Sequence, residues 1–339
     1  MISAPPVLVR RLLLAPLLAL AEVLFLICSP LLVALAALVS PLTGRGRRPL
    51  RIVVVTIDWV ARHLAGMAAC AGVWARSGFG LRAGSEQIRG AYQEVLRGYV
   101  AGVNRTTTRL ARITVEVRDS EAAEAALSGC ERPVVVLSRH AGEGDSLVVL
   151  HALLCRYGRR PRVVLHEALR LDPLLDVLGH RLSYRFIDPR GGDIEVEIGV
   201  MASTLGGDDA VLIFPEGGNF SPERRLRGIE RLERHGYDEE AAWARGMEHV
   251  AAPRPGGALA AIEAAPDADV VFVGHVGIPA GWRDLWHGLR TPRTVRLRMW
   301  HVRAQDVPQD RDEQIDWLFG RWCTLDGWVD GQQPQLPAA

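Results

Sequence analysis

The chain contains no lysine; all 40 of its Lys-plus-Arg positions are arginine. Genomic base composition accounts for that as readily as function does, and no functional class follows from it. Net charge is nearly absent as well, at +1 over 339 residues, which argues against a general nucleic-acid surface. The five cysteines, Cys28, Cys70, Cys130, Cys155 and Cys323, are scattered with no C-x-x-C pair. Neither a disulfide framework nor a zinc site follows, and reduced thiols in a cytosol-facing protein fit that pattern. A G-x-S-x-G elbow, the mark of one class of serine hydrolase, is missing. So are internal repeats and a separate linker domain.

Apolar residues are plentiful, at 48% of the chain, enough for one large domain and an appendage. Leu12 to Leu42 is almost wholly apolar and is interrupted by Glu22. A helix of that length reaches about 46 Å, against about 30 Å for one hydrocarbon core. Pro16 and Pro30 offer break points. Arg10 and Arg11 precede the run, and Arg45, Arg47, Arg48 and Arg51 follow it. Such flanks prefer the cytoplasmic side. Two arrangements fit: a broken helical pair dipping into the inner leaflet, or a single tilted span. A cleaved signal peptide does not, because the run is too long and arginine follows it.

Ile52 to Trp74 is a second apolar stretch, carrying Asp58, Arg62 and His63 as a polar stripe. Asp58 and Arg62 are four apart and meet on a helix. The stretch suits a helix at the membrane interface, with a core helix capping the catalytic domain as the alternative. The chain thus divides into a hydrophobic anchor over 1–48, an interfacial helical segment over 49–110, a catalytic domain over 111–330 and a mobile Pro-rich tail over 331–339. The expected location is a membrane, with the catalytic domain on its cytoplasmic face.

Within 111–330, strands alternate with helices. Ile113 to Val117 alternates as an edge strand does, and Thr294 to Val302 as an exposed one. Pro133 to Val136, Ala210 to Phe214 and Asp269 to Ile278 are buried runs. Ser85 to Thr107, Asp193 to Leu205, Pro222 to His235, Asp238 to Val250 and Asp312 to Val329 read as helices. This is an α/β pattern: a central, mostly parallel or mixed sheet flanked by helices, with membrane-associated helices ahead of it.

The first buried run ends in Ser138-Arg139-His140-Ala141-Gly142-Glu143-Gly144-Asp145, and an apolar helix follows. Open α/β sheets place their chemistry in such turns. His140 and Asp145 form an H-x4-D pair. A carboxylate that holds one imidazole nitrogen leaves the other free to take a proton from a hydroxyl. Asp145 is equally suited to cap the helix. A second buried run ends in Phe214-Pro215-Glu216-Gly217. Its glutamate is not needed for folding.

Together these stretches resemble the glycerolipid acyltransferase family, which includes the 1-acylglycerol-3-phosphate and lysophospholipid acyltransferases. His140 and Asp145 match the H-x4-D box, and Phe214, Pro215, Glu216 and Gly217 match the first four residues of a Phe-Pro-Glu-Gly-Thr-Arg box. The chain then departs, with Gly218-Asn219 in place of Thr-Arg. The resemblance runs from about Arg112 to Pro279.

It implies transfer of a fatty acyl group from acyl-CoA or an acyl carrier protein to a lysophospholipid hydroxyl, without a metal or cofactor. His140 would act as general base and Asp145 would orient it. Backbone N–H groups at the start of the Ser146 helix would meet the oxyanion. Glu216 would hold the acceptor's hydroxyl or an arginine near its phosphate. With no arginine at 219, Arg190, Arg224, Arg225 and Arg254 become the candidate phosphate ligands; Arg224 and Arg225 also suit a salt-bridged helix face. His166, His180 and His275, beside apolar runs, read as satisfied structural histidines. The rival readings are a serine-type thioesterase using Ser138 or Ser146, and a non-catalytic lipid-binding membrane protein of the same fold. Membrane lipids, the acceptor and the thioester are the expected partners, with no nucleic acid.

Overall fold

The computed structural model describes residues 4–43, 47–142, 144–188, 191, 194–279, 282–289 and 291–332. Seven strands form one sheet: β1 Ile113–Val117, β2 Val134–Ser138, β3 Arg160–His166, β4 Arg185–Ile187, β5 Asp209–Ile213, β6 Asp269–Val276 and β7 Arg293–Val302, in the order β1-β7-β6-β2-β5-β3-β4. All neighbours are parallel except β6 and β7. The mixed α/β architecture expected from the sequence is the one observed.

β2 and β5 are buried along their whole length because helices cover both faces. Side chains alternate between those faces. Val134, Val136, Ala210, Leu212, Val271 and Val273 face the layer that includes Tyr92, Leu96, Leu153 and Leu178. Val135, Leu137, Val211, Ile213, Val270 and Phe272 face Ile198, Leu259, Phe319 and Trp322.

β7 differs from the exposed strand expected. It lies between β1 and β6, and its alternation reflects one face packed on the core through Val295, Leu297 and Met299. β1 does lie at the edge. Trp282–Gly288, absent from the sequence reading, is a helix.

The broken pair considered for the first apolar run is not formed. Val7–Thr43 is a continuous helical stretch. A π-turn at Arg10–Leu14 precedes Pro16, so the ring enters where the regular ladder is already interrupted. Pro30 removes the N–H that would meet the carbonyl of Leu26, and the Ser29 hydroxyl donates to that carbonyl instead, at 2.7 Å. The pairing partner of this helix is the Arg48–Arg76 helix. Glu22 meets His63 at 2.6 Å, and the amide of Leu50 meets the Ser40 hydroxyl at 3.4 Å, so the two run antiparallel.

The C-terminal end of the Arg48–Arg76 helix packs on the α/β domain. Cys70 and Val73 enter the same core as Tyr92, Leu96 and Val100 of the Glu86–Ala111 helix. Gly66 permits a close approach: a Cβ there would lie 2.9 Å from Leu174 Cδ2. Asp58 and Arg62 pair at 2.7 Å, as their spacing requires. His63 is not part of an exposed stripe. It is buried between Glu22 and Asp172, the latter at 3.1 Å. Arg10 and Arg11 hold Asp176 at 2.8 and 3.2 Å. The outer side of the first helix keeps Leu12, Leu24, Ile27, Leu31, Leu38 and Leu42 exposed. The expected mobile tail begins at 331, and 333–339 of it lie outside the described residues.

Leu212 is fully buried on β5. Leu212→Ala should lower the unfolding free energy by about 2–5 kcal/mol. Leu38→Ala, on the exposed side of the first helix, should change it by less than about 0.5 kcal/mol. Urea unfolding in detergent checks both.

Candidate active site

The chain leaves β2, builds β3 and β4, then returns to insert β5 beside β2. Leu137 pairs with Ile213, so the turns that follow these two strands lie side by side at their carboxyl ends. Residues far apart in sequence meet there: His140 N donates to Glu216 Oε1 at 2.9 Å across 76 positions.

His140 Nδ1 lies 2.9 Å from Asp145 Oδ2. An ionised carboxylate only accepts, so Nδ1 carries the proton and Nε2 keeps a lone pair. Among the described residues no hydrogen-bond partner meets Nε2, and the side chain is 21% exposed. The ring rests on Phe214, with centroids 4.5 Å apart. Asp145 is fully buried. Its Oδ2 also accepts from Ala141 N (2.8 Å) and Gly142 N (3.1 Å), and its Oδ1 accepts from Ser146 N at 2.6 Å. Burial pushes this carboxyl up; the His140 hydrogen bond, the nearby His275 and the Gly142 amide outweigh it and hold the group below its ordinary range. Asp145 therefore orients the imidazole and organises the turn at the helix start. The Ser146 amide is consumed in that way and is not available to an oxyanion. Ser146 Oγ contacts Asp145 Oδ1 and Ser138 Oγ donates to the Arg139 carbonyl; neither is directed at Nε2 as a serine nucleophile requires.

Glu216 is buried, and Oε1 and Oε2 accept the amides of His140 and Ala251, the second at 3.0 Å. It ties the two site loops together. Burial pushes its carboxyl up to about 7, against the downward pull of the two amides and of Arg139. Asp326, from the Arg311–Asp330 helix, does the same for the next loop, accepting from His249 N at 2.7 Å and Val250 N at 3.0 Å. Arg139 lies among these carboxylates and donates to the carbonyls of His275 (2.6 Å) and His249 (2.8 Å). The sequence reading missed Arg139 and Asp326. A faint signal existed: Asp326 stands four residues after Trp322 on the buried side of an aromatic helix, where an unpaired charge is costly.

The candidate arginines separate. Arg190 lies outside the described residues. Arg225 is structural, because it donates to the carbonyls of Met247 and, at 2.8 Å, Arg245. Arg224 reaches back to the Gly217 carbonyl at 3.1 Å. Arg254 lies over the same turn: a Cβ on Gly217 would come within 3.0 Å of its Cζ. Burial lowers the pKa of Arg254, and nearby Arg231 and Arg224 add to that shift. Gly217 has φ +69°, a left-handed value suited to glycine. His166 accepts the amide of Ala168 at 3.0 Å and is structural. His275 is buried in β6 with its Nε2 3.1 Å from the Arg139 carbonyl.

A His–Asp pair with one open nitrogen, at the carboxyl ends of central strands, defines an α/β protein equipped for proton transfer. Residues 114–273, from β1 into β6, match the family model described as Acyltransferase. No curated protein and no solved structure gives a significant match.

The Glu216 carboxyl is raised when folded, so over the window from about pH 4.3, its unfolded value, to about 7 the folded state holds the extra proton. Its contribution to stability is full below that window and is lost as pH rises through it. Glu216→Gln, which keeps only one of two acceptors, should cost about 1–3 kcal/mol, and its unfolding curve should lack that fall with pH. Denaturation at several pH values checks this.

Proposed function

We propose that the protein transfers a fatty acyl group from an acyl thioester, acyl-CoA or acyl carrier protein, to the hydroxyl of an anionic lysophospholipid such as 1-acylglycerol-3-phosphate. The observation that carries this reading is the open Nε2 of His140, backed by buried Asp145, beside a glycine turn overhung by Arg224 and Arg254. Nε2 accepts the hydroxyl proton as the lipid oxygen attacks the thioester carbonyl. Asp145 stabilises the imidazolium that results. Collapse of the tetrahedral intermediate breaks the C–S bond, and the imidazolium returns its proton to the departing sulfur. The products are the diacyl lipid and the free thiol.

The family's box continues Thr-Arg where this chain has Gly218-Asn219. Compensation for the lost arginine is local. A side chain at 218 would collide with Arg224 Nη1, so glycine there admits that guanidinium to the turn. Arg254 approaches from the other side, and both offer donors to a phosphate.

Two helices, Val7–Thr43 and Arg48–Arg76, are long and apolar enough to cross a membrane. Arg10, Arg11 and Glu22 turn toward the domain while the leucines turn away. That division supports attachment to a bilayer through the leucine face, and the arginines flanking the first apolar run favour the cytoplasmic side for the catalytic domain.

His140→Ala should cut thiol release from acyl-CoA in the presence of 1-acylglycerol-3-phosphate by about 10²–10⁴-fold with the fold retained; an unchanged rate would end this reading. Arg254→Ala and Arg224→Ala should raise KM for that acceptor and leave kcat nearly unchanged, and neutral lysolipids should feel the change less.

A further inference from the structure

β2 pairs with β6 as far as Ser138 opposite Val273, and the amide of Arg139 still donates to the Val273 carbonyl at 3.1 Å. Beyond that point β2 turns away into the His140 turn while β6 continues along β7, with His275 opposite Leu297. Two buried carbonyls, those of Arg139 and His275, are left without ladder partners. The side chains of the same two residues reach them, and the Ser138 hydroxyl also donates to the Arg139 carbonyl at 3.1 Å. His275 Nε2 meets the Arg139 carbonyl at 3.1 Å, and Arg139 Nη1 donates to the His275 carbonyl at 2.6 Å. Each residue thus holds the other's backbone, one position before the catalytic imidazole. The same His275 nitrogen lies 3.8 Å from Asp145 Oδ2.

We propose that His275 is a positioning residue for acyl transfer, fixing the His140–Asp145 pair through a reciprocal clasp with Arg139. The inference rests on the acyl-transfer reading of that pair. A carbonyl only accepts, so Nε2 of His275 carries a proton, and a neutral ring then leaves Nδ1 bare. Its surroundings hold the ring neutral. Complete burial and the Arg139 guanidinium push its imidazolium down to about 4, against the pull of Asp145. The groups that face it are Arg139 from β2, His140 from the turn and Asp145 from the following helix; β7 presents Leu297. Its Nδ1 meets no partner among the described residues, so Nε2 carries the function.

His275→Gln keeps a donor near Nε2, and His275→Leu removes it at similar volume. Both are assayed as full-length chains in detergent micelles with acyl-CoA and 1-acylglycerol-3-phosphate. His275→Leu should lose about 10- to 100-fold in kcat, the effect of a displaced catalytic group, with KM for both substrates nearly unchanged, and His275→Gln should recover most of the loss. A His275→Leu protein as active as wild type, an equal fall in both variants, or a loss confined to KM would each overturn the proposal. Histidine-selective nitrogen NMR of the wild-type protein gives a second reading that needs no turnover. The His275 ring should stay in the neutral Nε2–H form from about pH 5.5 to 8, whereas an unperturbed imidazole titrates near 6.5; an Nδ1–H tautomer or a titration in that range would refute the clasp. If wild type itself releases no thiol, the acyl-transfer reading fails, and the NMR result still judges the clasp.

Discussion

A buried carboxylate that gathers backbone amides is the interaction on which this site depends. Loops packed between a sheet and a helical layer cannot leave their N–H groups to water. Here Asp145 accepts them from the His140 turn, Asp326 from the segment 248–251, and Glu216 one from each. The catalytic turn, the turn after β5 and the segment 248–251 are joined in series, with Arg139 as the shared counter-charge. Desolvation alone would neutralise such carboxyls. Asp145 escapes that outcome because it also receives the His140 hydrogen bond. Glu216, with two amides and no imidazole, is left near neutrality. The same residue type therefore takes two protonation behaviours within one site, and the difference is set by which donors reach it.

Around this centre the molecule divides its charges by direction. Polar groups of the outer helices turn inward: Arg10 and Arg11 to Asp176, and Glu22 through His63 to Asp172. The apolar residues left outside form a nearly uncharged face. Arg224 and Arg254 lie beside the Gly217–Gly218 turn with no carboxylate partner among the described residues. An acceptor drawn from the bilayer would meet the cations as it reaches the imidazole.

Much of this was legible in the sequence. The buried runs Pro133 to Val136 and Ala210 to Phe214 do fall on the fully buried strands β2 and β5. The H-x4-D spacing places a carboxylate within reach of an imidazole across one turn, because that contact is local. Less visible was anything that depends on which strand returns beside which. Glu216 looked like a ligand for substrate since its type and turn position suggest exposure; burial by β2 and the 248–251 loop made it a strut. Arg225 looked equivalent to Arg224, yet one helical step turns it onto the carbonyls of Met247 and Arg245. Pro30 looked like a break, but the neighbouring Ser29 hydroxyl met the freed carbonyl.

The sequence by itself determined the strands, the apolar helices and the His140–Asp145 pair. Hydrophobic periodicity and short spacings act over a few residues and need no knowledge of the rest of the chain. Tertiary structure decided which carboxylates became struts, which arginines stayed unpaired, and that His275 stands behind the catalytic turn. Those outcomes follow from strand order and burial, and burial sets both the cost of a charge and the partners within its reach.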